Sequence, residues 1–482
     1  MNNAPKRLFG TDGIRDKANS GALTVENVVR VAKAAGVLLR KRRGIFRERL
    51  GLRNPAGVVG GKFQPRRRTG HPMVIIGSDT RLSSPLIACA LRSGLLAGGI
   101  DVFDAGVVGT PGLAYLSSAL RFDLGIMISA SHNPMGDNGI KFFSNQGLKI
   151  SDVSELAVER LVLSGRLDRD EGPTDDRIGS AEEYGLGRQL YCRRVLQIAG
   201  DLRLTGMRIV LDCANGATYR AAPEIFAQLG ASVHAVNAAP NGVNINRGCG
   251  ALHPEEVAAS VKRHAAHIGF AFDGDGDRVI VADETGVVRD GDYVLAIAAR
   301  HMKKRGALTN NTVVTTVMAN LGLERSLVAA GIRMRRTNVG DRLVVQEMLR
   351  GGFVLGGEQS GHIVFLKHSP TGDGLVTAVQ LLKIMAREDS PLSALADCMT
   401  KFPQVLENVR VREKPPFNSV ALIAKAVQHV KRRLGDSGRL LLRYSGTEPL
   451  ARIMIEGPDA REINELAQML RLVIERKIGA GA

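Results

Sequence analysis

The chain of 482 residues carries a formal net charge of +17, with 44% hydrophobic residues, 55 Gly and no Trp. That length exceeds what one hydrophobic core serves and predicts about three or four globular domains. No apolar run reaches about 18 residues, which argues against a membrane-spanning helix, and five scattered cysteines without a CxxC pair argue against structural zinc and predict a reduced, cytoplasmic setting.

In chain order, the N-terminus has no secretory apolar core. A helix over 24–40 is followed by a Gly-, Pro- and Arg-rich stretch, 41–72, that interrupts the pattern as a long polar insertion. Residues 40–70 hold eleven Lys and Arg against Glu48 alone, so the excess charge is concentrated there. A strand over 73–77 leads to Ser83-Ser84-Pro85, a helix start with proline near its first position. The apolar run Leu124–Ile128 then enters a polar turn. Residues 165–182, rich in Asp, Glu, Gly and Arg, form a boundary. Strands at Met207–Asp212, Ile268–Phe272 and Thr312–Val317, with a helix near 218–229, repeat a βαβ grammar that predicts mainly parallel sheets. Ligands gather beyond the carboxyl ends of such strands. After the linker Lys401-Phe402-Pro403, half-exposed strands at Val409–Val411, Arg439–Tyr444 and Ala451–Glu456 and helices near 419–433 and 459–476 predict a small α+β domain.

Four polar clusters sit at strand ends. Ser131-His132-Asn133-Pro134, with Lys141 beyond, presents a hydroxyl beside a base and a cation; alone it favours a capped turn. Asp273-Gly274-Asp275-Gly276-Asp277-Arg278 places three carboxylates at spacing two, a set suited to one hard cation. An EF-hand loop is disfavoured because Arg278 stands where a sharp turn needs Gly and both flanks are strand-like. Magnesium, with an open position for a phosphate oxygen, fits better. Gly357-Glu358-Gln359-Ser360-Gly361-His362 offers carboxylate, hydroxyl and imidazole to vicinal sugar hydroxyls. Arg443-Tyr444-Ser445-Gly446-Thr447-Glu448, with Arg452, has the makings of a phosphate clamp. Together the four describe phosphoryl transfer on a sugar phosphate.

These four stretches resemble the signature loops of the α-D-phosphohexomutase superfamily, and the chain is most similar to its bacterial amino-sugar branch. Phe9-Gly10-Thr11-Asp12-Gly13-Ile14-Arg15, Asp137–Phe143, Asn338–Arg342 and Thr371–Gly374 support the resemblance, which spans nearly the whole chain in order. It implies three related α/β domains with mixed sheets and a C-terminal α+β domain around a central cleft, at 1–180, 181–288, 289–402 and 403–482. It implies that Ser131 is a phosphoserine, that Ser131 (through its phosphate), Asp273, Asp275 and Asp277 hold Mg²⁺, and that Glu358, Ser360 and His362 line the sugar site. Arg443, Ser445, Gly446, Thr447 and Arg452 then hold the phosphate not being transferred, and Arg15, His132, Lys141 and Arg278 surround the reacting groups.

The implied reaction is an isomerisation of glucosamine 6-phosphate to glucosamine 1-phosphate, primed by glucosamine 1,6-bisphosphate or another hexose bisphosphate, in the supply of UDP-N-acetylglucosamine and peptidoglycan precursors. The partner is a small amino-sugar phosphate; no membrane is implied, and a homodimer stays open. Lys141 is the first candidate for handling the hydroxyl proton and His132 the second. Met135-Gly136 stands where the family often has bulkier residues, which predicts a looser loop. Glucose or mannose phosphates could use the same four loops. The basic insertion could instead bind RNA or a membrane surface, but Phe46 and Phe63 are its only aromatics, which weakens base stacking.

Overall fold

The computed structural model describes residues 8–10, 12–41, 45–46, 64–168, 172–446 and 448–480. Most of the basic insertion and Thr447 therefore lie outside the described residues.

The apolar run Leu124–Ile128 is buried throughout and forms the middle of a seven-stranded sheet. Its spatial order is Phe9–Gly10, Gly13–Lys17, Asp137–Phe143, Leu124–Ile128, Met73–Ser78, Asp101–Val107 and Ala181–Glu183. The edge strand Ala181–Glu183 closes this sheet just past residue 180. A five-stranded sheet follows, ordered Val288–Arg289, Val279–Asp283, Ile268–Phe272, Arg208–Asp212 and Ser232–Val236. The four-stranded third sheet runs Arg333–Thr337, Thr312–Thr316, Leu355–Gly357, Ile363–Phe365. The last, Gln404–Arg410, Leu450–Glu456 and Arg439–Tyr444, is antiparallel and packs against the helices Ala421–Leu434 and Ala460–Ile478.

The expectation of mainly parallel sheets is corrected. The first three sheets are mixed, and each of their polar clusters falls between two antiparallel strands. Leu124–Ile128 pairs with Asp137–Phe143, Ile268–Phe272 with Val279–Asp283, Leu355–Gly357 with Ile363–Phe365, and Arg439–Tyr444 with Leu450–Glu456. Every cluster is thus the connection of a hairpin. The spacing between crossover helices reveals parallel strands, but it does not say that the strand after a polar turn runs back against the one before it.

The helices form where the sequence provides starts. Ser84–Ala97 carries proline in its first turn, as expected. Asn320 and Asp373 cap their helices by accepting from Gly322 N (2.9 Å) and Val376 N (3.0 Å). The seven-stranded sheet has apolar packing on both faces: Val74, Ile76 and Ile126 point to one side, Ile75, Phe103 and Met127 to the other. The second and third sheets share one apolar mass that runs from Tyr191 and Val281 through Leu295 to Leu355 and Met399. Each fully buried Phe or Leu in it contributes about 2 kcal/mol. The last sheet has its own smaller core around Val409, Ile453 and Leu470.

Polar ties fix the units against one another. Arg342 bridges from the third sheet's unit to Asp152, Glu155 (2.8 Å) and Ile150 O in the first. Asn320 bonds Phe402 N (2.9 Å), Phe402 O (3.0 Å) and Glu456 Oε1 (3.1 Å), which stitches the linker to the last sheet.

Candidate active site

Ser131 is the third residue past the strand Leu124–Ile128, buried, with φ of +53°. A non-glycine residue in that region costs about 1 kcal/mol and persists only where its surroundings impose it. Here Ser131 N–H donates to Ser129 Oγ (2.8 Å), and Ser129 Oγ donates to Asp79 Oδ2 (2.7 Å). The hydroxyl so presented donates to Asp273 Oδ2 at 2.6 Å and lies 3.3 Å from His132 Nδ1. The hairpin of the second sheet is therefore pressed onto that of the first. Gly274 explains how: a side chain there would come within 2.6 Å of Ser131 O.

The three expected carboxylates converge. Asp273, Asp275 and Asp277 are all buried and bring one oxygen each within 4.8 Å of the others. Burial and the charges of Asp277 and Asp275 push Asp273 well above its ordinary value. Asp277 is held well below its own, against burial, by His362, Lys141 and Arg278. The Oδ1 atoms of Asp275 and Asp277 are buried without a hydrogen-bond partner. Three buried carboxylates gathered this closely, with two oxygens left without partners, are the donor set of a divalent cation, so the residues fit the metal.

Lys141 is buried and donates to Asp275 Oδ2 (2.9 Å), which also accepts from Thr110 Oγ1 (2.6 Å). Burial alone would lower the Lys141 ammonium, but Asp12, Asp275 and Asp277 together hold it above its ordinary value. The lysine therefore stands as a fixed cation. His132 goes the other way: burial, Arg278 and Arg15 bring it down to about 4, so its ring is neutral beside the Ser131 hydroxyl.

Arg15 donates to Asp12 (2.6 Å) and to Asn133 Oδ1 (3.4 Å), and Arg278 donates its backbone N–H to Asp273 Oδ1 (3.2 Å). Arg278 Nε makes no hydrogen bond and is 3.9 Å from Asp277 Oδ1, which leaves a cation beside the carboxylates with a donor to spare.

His362, from the third hairpin, is also drawn in. Its Nδ1 is 3.5 Å from Asp277 and its Nε2 accepts Gly372 N–H at 3.1 Å. Burial opposes its charge, yet Asp277 and Asp341 raise it to about 9. The Gly372 N–H facing Nε2 opposes a second ring proton, so the proton that matters is the one on Nδ1. Asp277, Asp341 and His362 also lie close enough for a cation. Lys149 already neutralises Asp341 and Gly372 occupies the ring nitrogen, so this second group is a satisfied charge network. Glu358 and Ser360 share one turn, with Ser360 Oγ 3.5 Å from Glu358 Oε2 and Gly340 N donating to Oε1 (3.3 Å).

The fourth cluster stands apart. Among the described residues, the bonds of its turn stay within the last sheet's unit: Ser445 Oγ meets Glu448 at 3.4 Å, Lys414 donates to Ser445 O (2.7 Å), and Arg452 pairs with Glu448 (2.6 Å). Arg443 and Arg452 are direct partners across the antiparallel ladder. Burial and the Arg452 charge lower Arg443. Two guanidinium groups opposed in this way are unfavourable unless an anion lies between them. Thr447 lies outside the described residues; Gly446 sits at the tip with open space around its α-carbon.

Sequence reasoning missed the residues behind the clusters: Asp12, Asp79, Arg81, Thr110, Lys149, Asn246 and Asp341. Asp79, just past the strand Met73–Ser78, could have been found by the same strand-end rule that marked the clusters.

Comparison with known proteins shows the family. The chain matches the α/β/α domains I, II and III and the C-terminal domain of phosphoglucomutase/phosphomannomutase over residues 56–168, 189–286, 290–402 and 406–473. It is 47% identical over 477 residues to the phosphoglucosamine mutase of Syntrophotalea carbinolica, covering 98% of each chain. It is 45% identical over 472 residues to that of Symbiobacterium thermophilum, covering 98% of this chain and 99% of the relative. Among solved structures, a phosphoglucomutase/phosphomannomutase family protein of Burkholderia thailandensis superposes with a TM-score of 0.76 at 26% identity, covering 98% of this chain and 97% of the other. No helix among the described residues is long and apolar enough to cross a membrane.

Proposed function

The chain belongs to the phosphoglucosamine mutases of the phosphoglucomutase/phosphomannomutase family, and from that premise we propose how its residues share the work. It is an isomerase that interconverts glucosamine 6-phosphate and glucosamine 1-phosphate, the step that leads to UDP-N-acetylglucosamine and cell-wall precursors. In our reading the units run with boundaries near 180, 288 and 402, and Ser131 carries the phosphoryl group.

Phosphorylated Ser131 gives its phosphoryl to O1 of glucosamine 6-phosphate. The resulting 1,6-bisphosphate turns over within the cleft, and Ser131 takes the phosphoryl back from O6. A bisphosphate of this kind also primes the enzyme. Asp273, Asp275 and Asp277, with the Ser131 phosphate, would hold Mg²⁺, which when bound offsets charge on the transferring oxygens. Lys141, fixed between Asp12 and Asp275, supplies a cation that cannot drift. Arg15 and Arg278 flank the same point. Each transfer takes a proton from the attacking hydroxyl and returns one to the released oxygen. O1 loses one as Ser131 Oγ gains one, then Ser131 loses it as O6 gains one. Neutral His132 is placed 3.3 Å from Ser131 Oγ to pass it, with Lys141 beside it as the fixed cation. Glu358, Ser360 and His362 read the sugar hydroxyls, and Arg443, Ser445, Gly446, Thr447 and Arg452 hold the idle phosphate. Because O1 and O6 phosphates must both fit that clamp in turn, it recognises a dianion rather than a sugar.

The observation that supports this most is the 2.6 Å contact between the Ser131 hydroxyl and Asp273 at the mouth of the carboxylate cluster. The test is mass spectrometry of the purified enzyme together with turnover on glucosamine, glucose and mannose 6-phosphates. Phosphate on Ser131 and a preference for glucosamine are expected. An unmodified Ser131 in an active enzyme would overturn the assignment.

A further inference from the structure

Four backbone carbonyls of the serine hairpin converge on one buried guanidinium. Arg81 is 1% exposed. Its Nη2 donates to Ser131 O (2.9 Å) and Asn133 O (2.8 Å), and its Nη1 to Asp137 O (3.1 Å) and Pro134 O. Its Nε donates to Asp79 Oδ2 (2.9 Å), the atom that also accepts the Ser129 hydroxyl. A guanidinium has five N–H donors in a rigid plane. All five are used here, and four of them end on the loop that carries Ser131.

A second donor reaches the same carbonyls from the neighbouring sheet's unit. Asn246 Nδ2 lies 2.8 Å from Ser131 O and 3.0 Å from Asn133 O. The Ser131 carbonyl is thus gripped from both sides while its N–H is held by Ser129. With both ends of the residue pinned at φ +53°, the direction of Cα–Cβ, and so the reach of Oγ, is set.

We propose that Arg81 and Asn246 are positioning residues for phosphoryl transfer: they touch no substrate, and they aim Ser131 by fixing its peptide. The inference rests on the reading of Ser131 as phosphoryl carrier. Lysine at 81 keeps the charge but has three donors on a flexible stem, so it cannot hold four carbonyls and Asp79 together. Displacement of a reacting group by about 1 Å costs about 100-fold in rate.

The test compares Arg81→Lys, Asn246→Ala and Ile87→Ala, the last a buried residue of the same unit's apolar core that serves as a stability control. For Arg81→Lys, kcat is expected to fall about 100-fold, and for Asn246→Ala about tenfold, with KM for glucosamine 6-phosphate within about twofold of wild type. Ile87→Ala should lose melting temperature and keep its kcat. Wild-type kcat in folded Arg81→Lys, or in Asn246→Ala, overturns the proposal, as does a kcat loss in Ile87→Ala that matches theirs at equal loss of melting temperature. If Arg81→Lys does not fold, Asn246→Ala decides. Mass spectrometry of each protein separates the two readings: a wild type without phosphate on Ser131 defeats the carrier assignment, whereas a phosphorylated Arg81→Lys with normal kcat defeats only the positioning role.

Discussion

The serine hairpin and the clamp hairpin are built on opposite principles. Ser131 itself is tied at its N–H, its carbonyl and its hydroxyl by bonds below 3 Å, and the hydroxyl, Asp273, Asp275 and Lys141 are all buried. Around Ser445 the side-chain bonds of the turn are 3.3 and 3.4 Å long, Arg452 pairs with an exposed glutamate, and Arg443 faces Arg452 across the ladder with no acid of its own among the described ion pairs. A centre where bonds are made and broken gains from rigidity, since reorganisation would be added to the barrier. In the proposed mechanism the clamp accepts either end of a turning substrate, and such a clamp gains from slack.

The sharpest way to break the comparison is at Ser131. Ser131→Ala should lower turnover of glucosamine 6-phosphate by more than about 1000-fold, measured in a coupled assay; turnover near wild type would remove the hydroxyl from the chemistry. Chelation with EDTA should lower activity by about 100-fold or more, with recovery on adding Mg²⁺. Activity that survives dialysis against chelator would mean that the carboxylate triad does another job.

At the clamp the effect should be smaller and of a different kind. Arg443→Ala should raise KM by about tenfold or more with a lesser change in kcat. Its melting temperature should stay level or rise, because one of two opposed guanidinium groups is gone. A fall of several degrees would show that Arg443 is a structural strut, and the contrast between the hairpins would fail.

The smallest effect lies behind the carboxylate loop, where the helix that starts at Gly374 donates to Gly276 O (3.0 Å). Its cap, Asp373, is raised to about 6, first by burial. The folded state thus favours the protonated carboxyl, so the group's contribution is full below its ordinary value of 3.8 and is lost as pH rises through 6. Asp373→Asn keeps a capping oxygen and carries no charge. It should be more stable than wild type at pH 8 by about 1 kcal/mol and no more stable at pH 4, as read by thermal melts at both values. Equal stability at pH 8 would sink this assignment.

How far the sequence foretold the site depends on what holds each part together. Ser131, the three Asp residues, Glu358 and His362 were legible because side-chain chemistry at strand ends is written in the residues themselves. Arg81 was not, because its partners on the loop are backbone carbonyls, which every residue has. The path from Lys141 through Asp12 and Lys149 to Asp341 was not, because Lys149 and Asp341 are 192 residues apart in the chain and meet only when two sheets pack. The opposition of Arg443 and Arg452 follows from strand register, which the two arginines alone do not specify. Of the return strands, Val279–Asp283 and Leu450–Glu456 were legible as strand-like runs, whereas Ile363–Phe365 is three residues long and merges with its turn.

The apolar mass shared by the second and third sheets has a consequence for how the chain comes apart. Val281 and Leu355 belong to the same cluster, so neither sheet can expose its side of the core without the other. The two should therefore unfold as one foldon, with amides in Ile268–Phe272 and Thr312–Thr316 exchanging hydrogen through a common opening. Ile453 and Leu470, in a separate and smaller cluster, should exchange through an earlier one. On denaturation the clamp would be released first, while the carboxylate loop and the sugar turn stay together to the end.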